Sequence, residues 1–246
     1  MEQKEWFKDW FDSKYYHILY QNRNEEEAAF FLNKLVELFN PNHDCEIIDL
    51  ACGKGRHSIY LNSLGYKLTG VDLAEKSINY AKQFENDRLH FEVQDLRNLQ
   101  LSHSFDIALN LFTSFGYFDS METNKKVLQS IHSILNHKGS LLIDFLNIHY
   151  VKKIMKASET KIESGITFQI SKKIEDNKII KDIRFKDQGT DYHFQEQVQA
   201  LCQNDFIQLL NESGFKPLKF YGNYQLEEFN PENSERLIIL AAKQDA

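Results

Sequence analysis

The sequence has few cysteines, no long apolar run and no excess of positive charge. Its three cysteines, Cys45, Cys52 and Cys202, form neither a CxxC pair nor an even-numbered set. This argues against structural zinc and a disulfide framework, and for a reducing compartment. No apolar run approaches the roughly 18 residues of a membrane helix, and the amino-terminal residues lack the apolar core of a signal peptide. We therefore expect a cytoplasmic protein without a metal site.

The charge balance disfavours large anionic partners. Asp and Glu outnumber Lys and Arg by 36 to 29, which gives a formal net charge of −7. Because no basic stripe is present, we expect neither nucleic-acid binding nor attachment to an anionic membrane. Aromatic residues, in contrast, are abundant, with 19 Phe and 11 Tyr. They favour a pocket with aromatic walls and a small-molecule partner.

Short apolar segments alternate with amphipathic ones over the first part of the chain. A helical pattern at Glu25–Phe39 is followed by this alternation, which predicts a parallel sheet with right-handed crossovers. An amphipathic stretch at 124–135 is the clearest of the intervening helices. The five predicted strands cover Glu46–Leu50, 67–71, 90–93, 105–111 and 140–145.

The pattern changes after the fifth predicted strand. Apolar residues then alternate with polar ones, as in Ile166, Phe168 and Ile170, and "EDN" and "DQG" are turn signals. This is typical of an antiparallel β meander, which we place at 160–199 as an inserted lid. We predict one domain over 1–246, made of a helical cap (1–40), a core (41–150), the lid, and a closing helix and strand pair (200–246).

Three acids follow three successive apolar runs at a regular spacing. Asp49 ends the first run, Asp72 follows the second and Asp95 the third, and neighbouring acids are 23 residues apart. Parallel sheets bind ligands at the carboxyl ends of their strands, so we expect these acids to converge there. Gly53 and Gly55, which have no Cβ, would let the backbone approach a ligand before the next helix begins.

The sequence of this loop predicts a nucleotide ligand, and Asp72, Ser58 and Asp49 indicate which kind of nucleotide the chain would bind. Asp72 lies 19 residues after Gly53, a spacing typical of an acid that accepts hydrogen bonds from ribose hydroxyls. A nicotinamide-dependent oxidoreductase is one interpretation. However, Ser58 follows where the dinucleotide pattern needs a third glycine, and Asp49 would repel a pyrophosphate but attract an ammonium or sulfonium. A cationic nucleoside therefore fits the loop better.

Four segments together resemble the class I S-adenosylmethionine-dependent methyltransferases. They are "IIDLACGKG", "LTGVDLA", "VQDLRNL" and "FDIALNLFTSFGYF", and the resemblance runs from about residue 30 to residue 145. It implies an α/β fold with a Rossmann-like seven-stranded sheet whose last strand is antiparallel, in agreement with the closing "RLIILAAK". It also implies S-adenosylmethionine as the cofactor. The amino-terminal "YYHILY" is similar to a segment of the small-molecule N-methyltransferases that folds over the cofactor.

The resemblance implies a set of cofactor-binding residues. In the amino-terminal segment, Arg23 would reach the methionine carboxylate, because its planar fork suits a carboxylate. The roles of Arg56 and His57 stay open. The complete predicted set is Tyr15, Tyr20, Arg23, Asp49, Ala51, Cys52, Gly53, Gly55, Asp72, Leu73, Gln94, Asp95, Leu96, Asn110 and Leu111.

The chemistry that follows is in-line transfer of a methyl group from a sulfonium to a small molecule, with nitrogen favoured over oxygen. Positioning supplies much of the rate, so no general base is required for a neutral amine. If the acceptor is a hydroxyl or an ammonium, Tyr117 and His149 are the candidate catalytic residues by position. Alternatives are a methyltransferase-like binding protein without activity, or the oxidoreductase.

Overall fold

The computed structural model describes residues 6–21 and 25–244. Within these ranges the chain forms two sheets, one of seven strands and one of four. The strands, in chain order, are β1 Glu46–Leu50, β2 Lys67–Asp72, β3 Leu89–Val93, β4 Phe105–Asn110, β5 Leu135–Leu146, β6 Ser158–Glu163, β7 Ile166–Glu175, β8 Lys178–Asp187, β9 Thr190–Gln199, β10 Phe215–Tyr221 and β11 Arg236–Lys243.

The described helices connect these strands and precede them. Of these helices, none is long and apolar enough to cross a membrane. They are α1 Trp6–Phe11, α2 Lys14–Leu19, α3 Glu25–Phe39, α4 Arg56–Ser63, α5 Glu75–Ala81, α6 Met121–Ile134, α7 Ile148–Ile154 and α8 Gln203–Glu212.

The seven-stranded sheet has the order β3-β2-β1-β4-β5-β11-β10. Strands β1 to β5 pair in parallel, whereas β11 runs antiparallel to both of its neighbours, β5 and β10. The predicted Rossmann-like fold with an antiparallel last strand is therefore confirmed. Strand β5 begins earlier than predicted, directly after α6, because Leu135 already pairs with Phe105 of β4.

Each face of the large sheet has its own apolar layer. On one face, α3, α4 and α5 bury residues such as Phe31, Leu61 and Ile78. On the other, α6 and α8 bury residues such as Ile131 and Phe206. The helical spacing of apolar residues explains both layers, since one stripe of each helix faces the sheet. The carboxyl ends of β1, β2 and β4 stay uncovered by these helices.

The four-stranded sheet and the first two helices form a third apolar cluster. Trp10 of α1 and Tyr15 of α2 are buried against Phe168 and Phe185 of the small sheet. The predicted antiparallel meander is therefore present as the sheet β6-β7-β8-β9, which we call the lid; its covering role stays a prediction. In contrast, α3, which we assigned to the amino-terminal cap, packs on the large sheet. Helices α1 and α2 belong with the lid.

Two isoleucines of the lid test this packing. Ile183 is fully buried in the cluster that includes α1 and α2, whereas residue Ile162 is 71% exposed. We expect Ile183→Ala to lower the free energy of unfolding by about 2–5 kcal/mol, since the change leaves a cavity. Ile162→Ala should change it by less than about 0.5 kcal/mol. Urea unfolding measures both, and equal losses would contradict a packed inner face.

Candidate active site

Two neighbouring cavities lie between the carboxyl edge of the large sheet and the unit formed by α1, α2 and the lid. The first has a volume of about 340 Å³ and the second about 350 Å³, which is the size range of small-molecule sites. The residues singled out from the sequence that line the first cavity are Tyr20, Asp49, Ala51, Cys52, Gly53, Asp72, Leu111 and Tyr117.

The loop between β1 and α4 takes a left-handed course. Ala51, Gly53 and Gly55 all have positive φ, at 60°, 58° and 79°. A Cβ on Gly53 would meet nothing within 4 Å, whereas one on Gly55 would lie 2.5 Å from the ring of Phe91. Gly53 thus leaves room at the cavity. Gly55, which is not among the lining residues, is required for packing on Phe91 instead.

Asp49 is a buried carboxyl at the wall of the first cavity. It is 2% exposed and accepts a hydrogen bond from Ser58 Oγ at 2.7 Å. Burial raises the pKa of Asp49 from 3.8 to about 7, and the Ser58 hydroxyl opposes part of that rise. Ser58 occupies the position at which the dinucleotide-binding pattern has a glycine. Its hydroxyl is the hydrogen-bond donor to Asp49, which a glycine could not provide.

Asp72 holds the loop in place from the end of β2. Its Oδ2 accepts from the amide of Gly53 and its Oδ1 from the amide of Ala74, both at 2.8 Å. Burial raises the pKa of Asp72, and these amides oppose that rise. The carboxylate is fixed at the cavity wall with lone pairs left for further donors.

The third acid, Asp95, is not among the residues that line either cavity. Arg97 binds both of its oxygens, at 2.9 and 3.0 Å, and this local ion pair holds the carboxylate. The side chain of Gln94 bonds to Glu92 and to the backbone of Gln100. Two predicted residues beside these acids are also absent from the lining, Leu73 and Leu96, the latter packed on the core.

Asn110 and Cys52 have structural surroundings. Asn110 is fully buried and donates to the carbonyls of Leu50 (3.2 Å) and Ser114 (3.3 Å), so it fixes the end of β4 rather than lining the cavity. Cys52 lines the cavity but is 7% exposed, and burial raises the pKa of its thiol. Cys52 is therefore a wall residue in its thiol form.

Of the three predicted residues in the amino-terminal segment, one lines the cavities, one does not and one lies outside the described residues. Tyr20 lines both cavities, and its hydroxyl donates to Glu196 at 2.7 Å. Tyr15 lines neither, because its ring is packed between lid residues and its hydroxyl donates to Asp187 at 2.8 Å. In this structure Tyr15 links α2 to the lid, and its cofactor contact stays a prediction. Arg23 lies outside the described residues.

Arg56 and His57, left open by the sequence, both line the first cavity. Arg56 Nη2 lies 2.9 Å from His57 Nε2, and the His57 ring is stacked on Phe112 at 4.8 Å. The guanidinium of Arg56 lies 5.4 Å from the centre of the Phe112 ring. Together with Lys54, Arg56 makes part of the wall positive, beside the acids Asp49 and Asp72.

The two candidate catalytic residues are placed differently. Tyr117 lines both cavities, but its hydroxyl donates to the carbonyl of Thr113 at 2.6 Å. His149 lines neither cavity. It lies in α7, where its amide donates to the capping side chain of Asn147, and Nδ1 of its half-exposed ring lies 4.0 Å from Glu232 Oε1. The structure therefore does not bring His149 to the site.

Of the residues on the boundary between the cavities, Tyr20 and Tyr117 were predicted from the sequence, whereas Phe11 and Tyr16 were missed. Five residues line both cavities and all are aromatic; we call them the aromatic junction. Ring centroids within it are 5.3 Å apart for Phe11 and Tyr117, 4.9 Å for Phe11 and Tyr16, and 5.0 Å for Tyr16 and Tyr20. The members are Phe11, Tyr16, Tyr20, Phe112 and Tyr117.

A buried carboxylate holds the loop that carries Phe112. Phe112 and Thr113 have φ of 55° and 62°, which is strained for residues with a side chain. Asp144 Oδ2 accepts from the Phe112 amide at 2.8 Å and from the Tyr224 hydroxyl at 3.3 Å. Its Oδ1 accepts from Arg236 Nε at 2.8 Å, and Arg236 Nη2 also donates to Thr113 Oγ1. Asp144 thereby fixes both the loop and Arg236.

The second cavity has a charged row in its lid. Lys172 of β7, Lys181 of β8 and Glu196 of β9 are register partners, and all three line the cavity. Arg236 lines it from β11. The signal was present in the sequence, since the period-2 pattern of Ile166, Phe168 and Ile170 continues to Lys172. The flanking register rows on the same face are apolar, with Ile170, Ile183 and Phe194 on one side and Ile174, Ile179 and Val198 on the other.

Comparison with known proteins identifies the family. The model of the Methyltransferase domain family matches residues 41–197, and the chain belongs to this family. It is an S-adenosylmethionine-dependent methyltransferase. A glycine/sarcosine N-methyltransferase of Aphanothece halophytica is 27% identical over 237 residues, which cover 92% of this chain and 85% of that protein.

Two solved structures share the fold. An S-adenosylmethionine-dependent methyltransferase from Clostridium acetobutylicum ATCC 824 superimposes with a TM-score of 0.78 at 19% identity, covering 94% of this chain and 96% of the other. The sugar N-methyltransferase KedS8 from Streptoalloteichus sp ATCC 53650 has a TM-score of 0.73 at 16% identity, with coverages of 94% and 93%. At these identities the likeness concerns the fold.

We expect Asp49 to make the binding of S-adenosylmethionine depend on pH. Its pKa of about 7 means that the carboxyl is protonated below neutral pH, whereas a cationic ligand binds the ionised form. We expect the affinity for S-adenosylmethionine to fall by about tenfold per pH unit below pH 7, with proton release on binding. Titration calorimetry in buffers of different ionisation enthalpy measures both.

Two variants control this prediction. Asp49→Asn should bind weakly and without the pH dependence, and Ser58→Ala should move the midpoint to higher pH because it removes a hydrogen bond to the carboxylate. The same raised pKa makes the free energy of unfolding of the cofactor-free protein fall as the pH rises from 3.8 to about 7. A pH dependence of binding that persists in Asp49→Asn would contradict the assignment.

Proposed function

We propose that the chain transfers the methyl group of S-adenosylmethionine to a nitrogen of a small-molecule amine. The observation that carries the proposal is the aromatic junction, through which a cofactor-sized cavity adjoins a second, separately lined cavity. In this proposal the first cavity holds the cofactor and the second holds the acceptor. The methyl group would lie at the junction.

The residues of the first cavity fit the cofactor. Gly53 leaves space beside the loop, and Asp72 keeps lone pairs for the ribose hydroxyls. Asp49 offers a carboxylate to the cationic methionine end, and Arg56 offers a guanidinium to its carboxylate. A wall with charges of both signs suits a zwitterionic ligand.

Positioning is the main contribution of the protein to catalysis. When bound, the cofactor supplies a methyl group on a sulfonium. The amine lone pair forms the new C–N bond as the C–S bond breaks, and the positive charge passes to nitrogen. The aromatic junction and the loop fixed by Asp144 would align the two partners, and alignment of this kind lowers a barrier by about 7–11 kcal/mol.

The charges of the second cavity favour an amine in its neutral, nucleophilic form. Lys172, Lys181 and Arg236 line the cavity, with Glu196 as the acid among the charged lining residues. Neighbouring positive charges disfavour an ammonium and thus lower the pKa of a bound amine. The Tyr117 hydroxyl already donates to a backbone carbonyl, so Tyr117 serves better as a wall than as a base.

Known relatives support nitrogen as the acceptor atom. The Aphanothece halophytica protein, similar to this chain over most of both lengths, is a glycine/sarcosine N-methyltransferase. KedS8, similar in fold, is a sugar N-methyltransferase. Both acceptor types are small amines. Glycine, sarcosine and amino sugars are therefore the first compounds to test.

A panel of acceptors tests the proposal. We expect S-adenosylhomocysteine to form with at least one of glycine, sarcosine, an amino sugar or simple amines, and the methyl group to appear on nitrogen by mass spectrometry. The aromatic wall predicts a loss of at least about tenfold in kcat/KM for Tyr117→Ala, because alignment is lost, and a smaller loss for Tyr117→Phe. Methylation of phenols or alcohols alone, or of no compound despite bound cofactor, would refute it.

A further inference from the structure

We infer that the second cavity binds a carboxylate of the acceptor through Lys172, Lys181 and Arg236. The inference rests on the proposed function, because it takes the second cavity as the acceptor site. It adds the chemical class of the acceptor, an amine that also carries a carboxylate, and it names the side chains that select it.

The position of the charged row is the first argument. Lys172 and Lys181 are directly opposite each other in adjacent strands, an arrangement that destabilises a sheet. The rows on either side are apolar, so the inner face of the lid would be more stable with apolar residues here as well. Each lysine has a glutamate partner, Glu159 or Glu196, and an anion in the cavity would be a further partner that both lysines share.

The charge that reaches the cavity is the second argument. Lys172 pairs with Glu159 at 2.9 Å and Arg236 with Asp144 at 2.8 Å, but neither acid lines the cavity. The lining thus has three cations and one acid, Glu196. Its carboxylate is occupied, since it accepts from Trp10 Nε1 at 2.7 Å and lies 3.5 Å from Lys181 Nζ. Glu196 therefore positions Lys181.

The arrangement of Arg236 is the third argument. Its Nε and Nη2 are bound by Asp144 and Thr113, which fixes the plane of the guanidinium. Its Nη1 has no hydrogen-bond partner among residues 6–21 and 25–244. A guanidinium with one free amino group at a cavity wall is ready to donate to a carboxylate oxygen. Asp144 is fully buried behind it.

These groups would orient the acceptor. With its carboxylate on the lysines and Arg236, an amino acid would direct its nitrogen toward the aromatic junction and the methyl group. The positive charges would act on the amine as well, because they lower its pKa and so increase the fraction that is a nucleophile. One set of side chains would thus serve both specificity and reactivity.

Propionate and propionamide test the inference without turnover, because they have the same shape and differ in charge. We expect the complex with S-adenosylhomocysteine to bind propionate at least about tenfold more tightly than propionamide in ligand-observed NMR titrations. Lys172→Met should reduce this preference, and its former partner Glu159, with a side chain that is 28% exposed, keeps access to water. Lys153→Met in α7, which lines neither cavity, is the control with an equal change of charge.

Arg236 requires a paired change, since its removal alone would leave Asp144 buried and unpaired. Arg236→Met with Asp144→Asn removes both charges and should also reduce the preference, while S-adenosylhomocysteine binding reports an intact first cavity. Equal binding of the two probes by the wild type would overturn the inference, as would a full preference in both Lys172→Met and the double variant.

The outcomes separate this inference from the proposed function. Preferential binding of propionate without methylation of any amine would refute N-methyl transfer and leave the carboxylate site standing. Methylation of amines with no preference for propionate would refute the carboxylate site alone. With an amino acid as acceptor, Lys172→Met should raise KM more than it lowers kcat, which a purely structural role would not produce.

Discussion

The ion pair between the buried carboxylate of Asp144 and Arg236 is the interaction on which the rest of the site depends. Asp144 lies in β5 with no exposure, and donors from three segments of the chain converge on it: the Phe112 amide, the Tyr224 hydroxyl and Arg236. Burial raises the pKa of Asp144, and the charge and hydrogen bonds of Arg236 oppose that rise. Removal of one partner of such a pair costs about 3–5 kcal/mol. The strained loop at Phe112 and the orientation of Arg236 both rest on this pair.

Much of the fold follows from periodicity alone. The strands of the large sheet, α3 and α6 have patterns that an isolated sequence shows, because one face of each is buried and the other is not. Site residues are predictable from the sequence where they lie at, or directly after, the carboxyl end of a predicted strand. Gly53 and Asp72 are joined by a hydrogen bond across 19 residues, and both were expected at one edge. Asp49, which ends β1, was expected there for the same reason.

Three predicted residues that line neither cavity share a physical feature, which is that each has a hydrogen-bond partner outside the cavities. Asp95 is bound by Arg97, two residues away, and the exposed ring of His149 lies near Glu232. Tyr15 contacts the lid because α2 packs on the small sheet. No sequence pattern near Tyr15 indicates this tertiary contact. Lys172 and Lys181 were not singled out from the sequence, because their position at a binding cavity arises only where β11 and the lid meet.

The two buried acids of the site, Asp49 and Asp144, illustrate opposite uses of the same group. Asp144 is neutralised within the fold by Arg236, and so it stabilises a geometry. Asp49 accepts hydrogen bonds from the side chain and the backbone of Ser58, but burial outweighs them and raises the pKa of Asp49 to about 7. A cationic ligand supplies the missing countercharge, so part of the binding free energy comes from relieving an unfavourable ionisation. The protein is less stable without its cofactor at the pH at which the cofactor binds best.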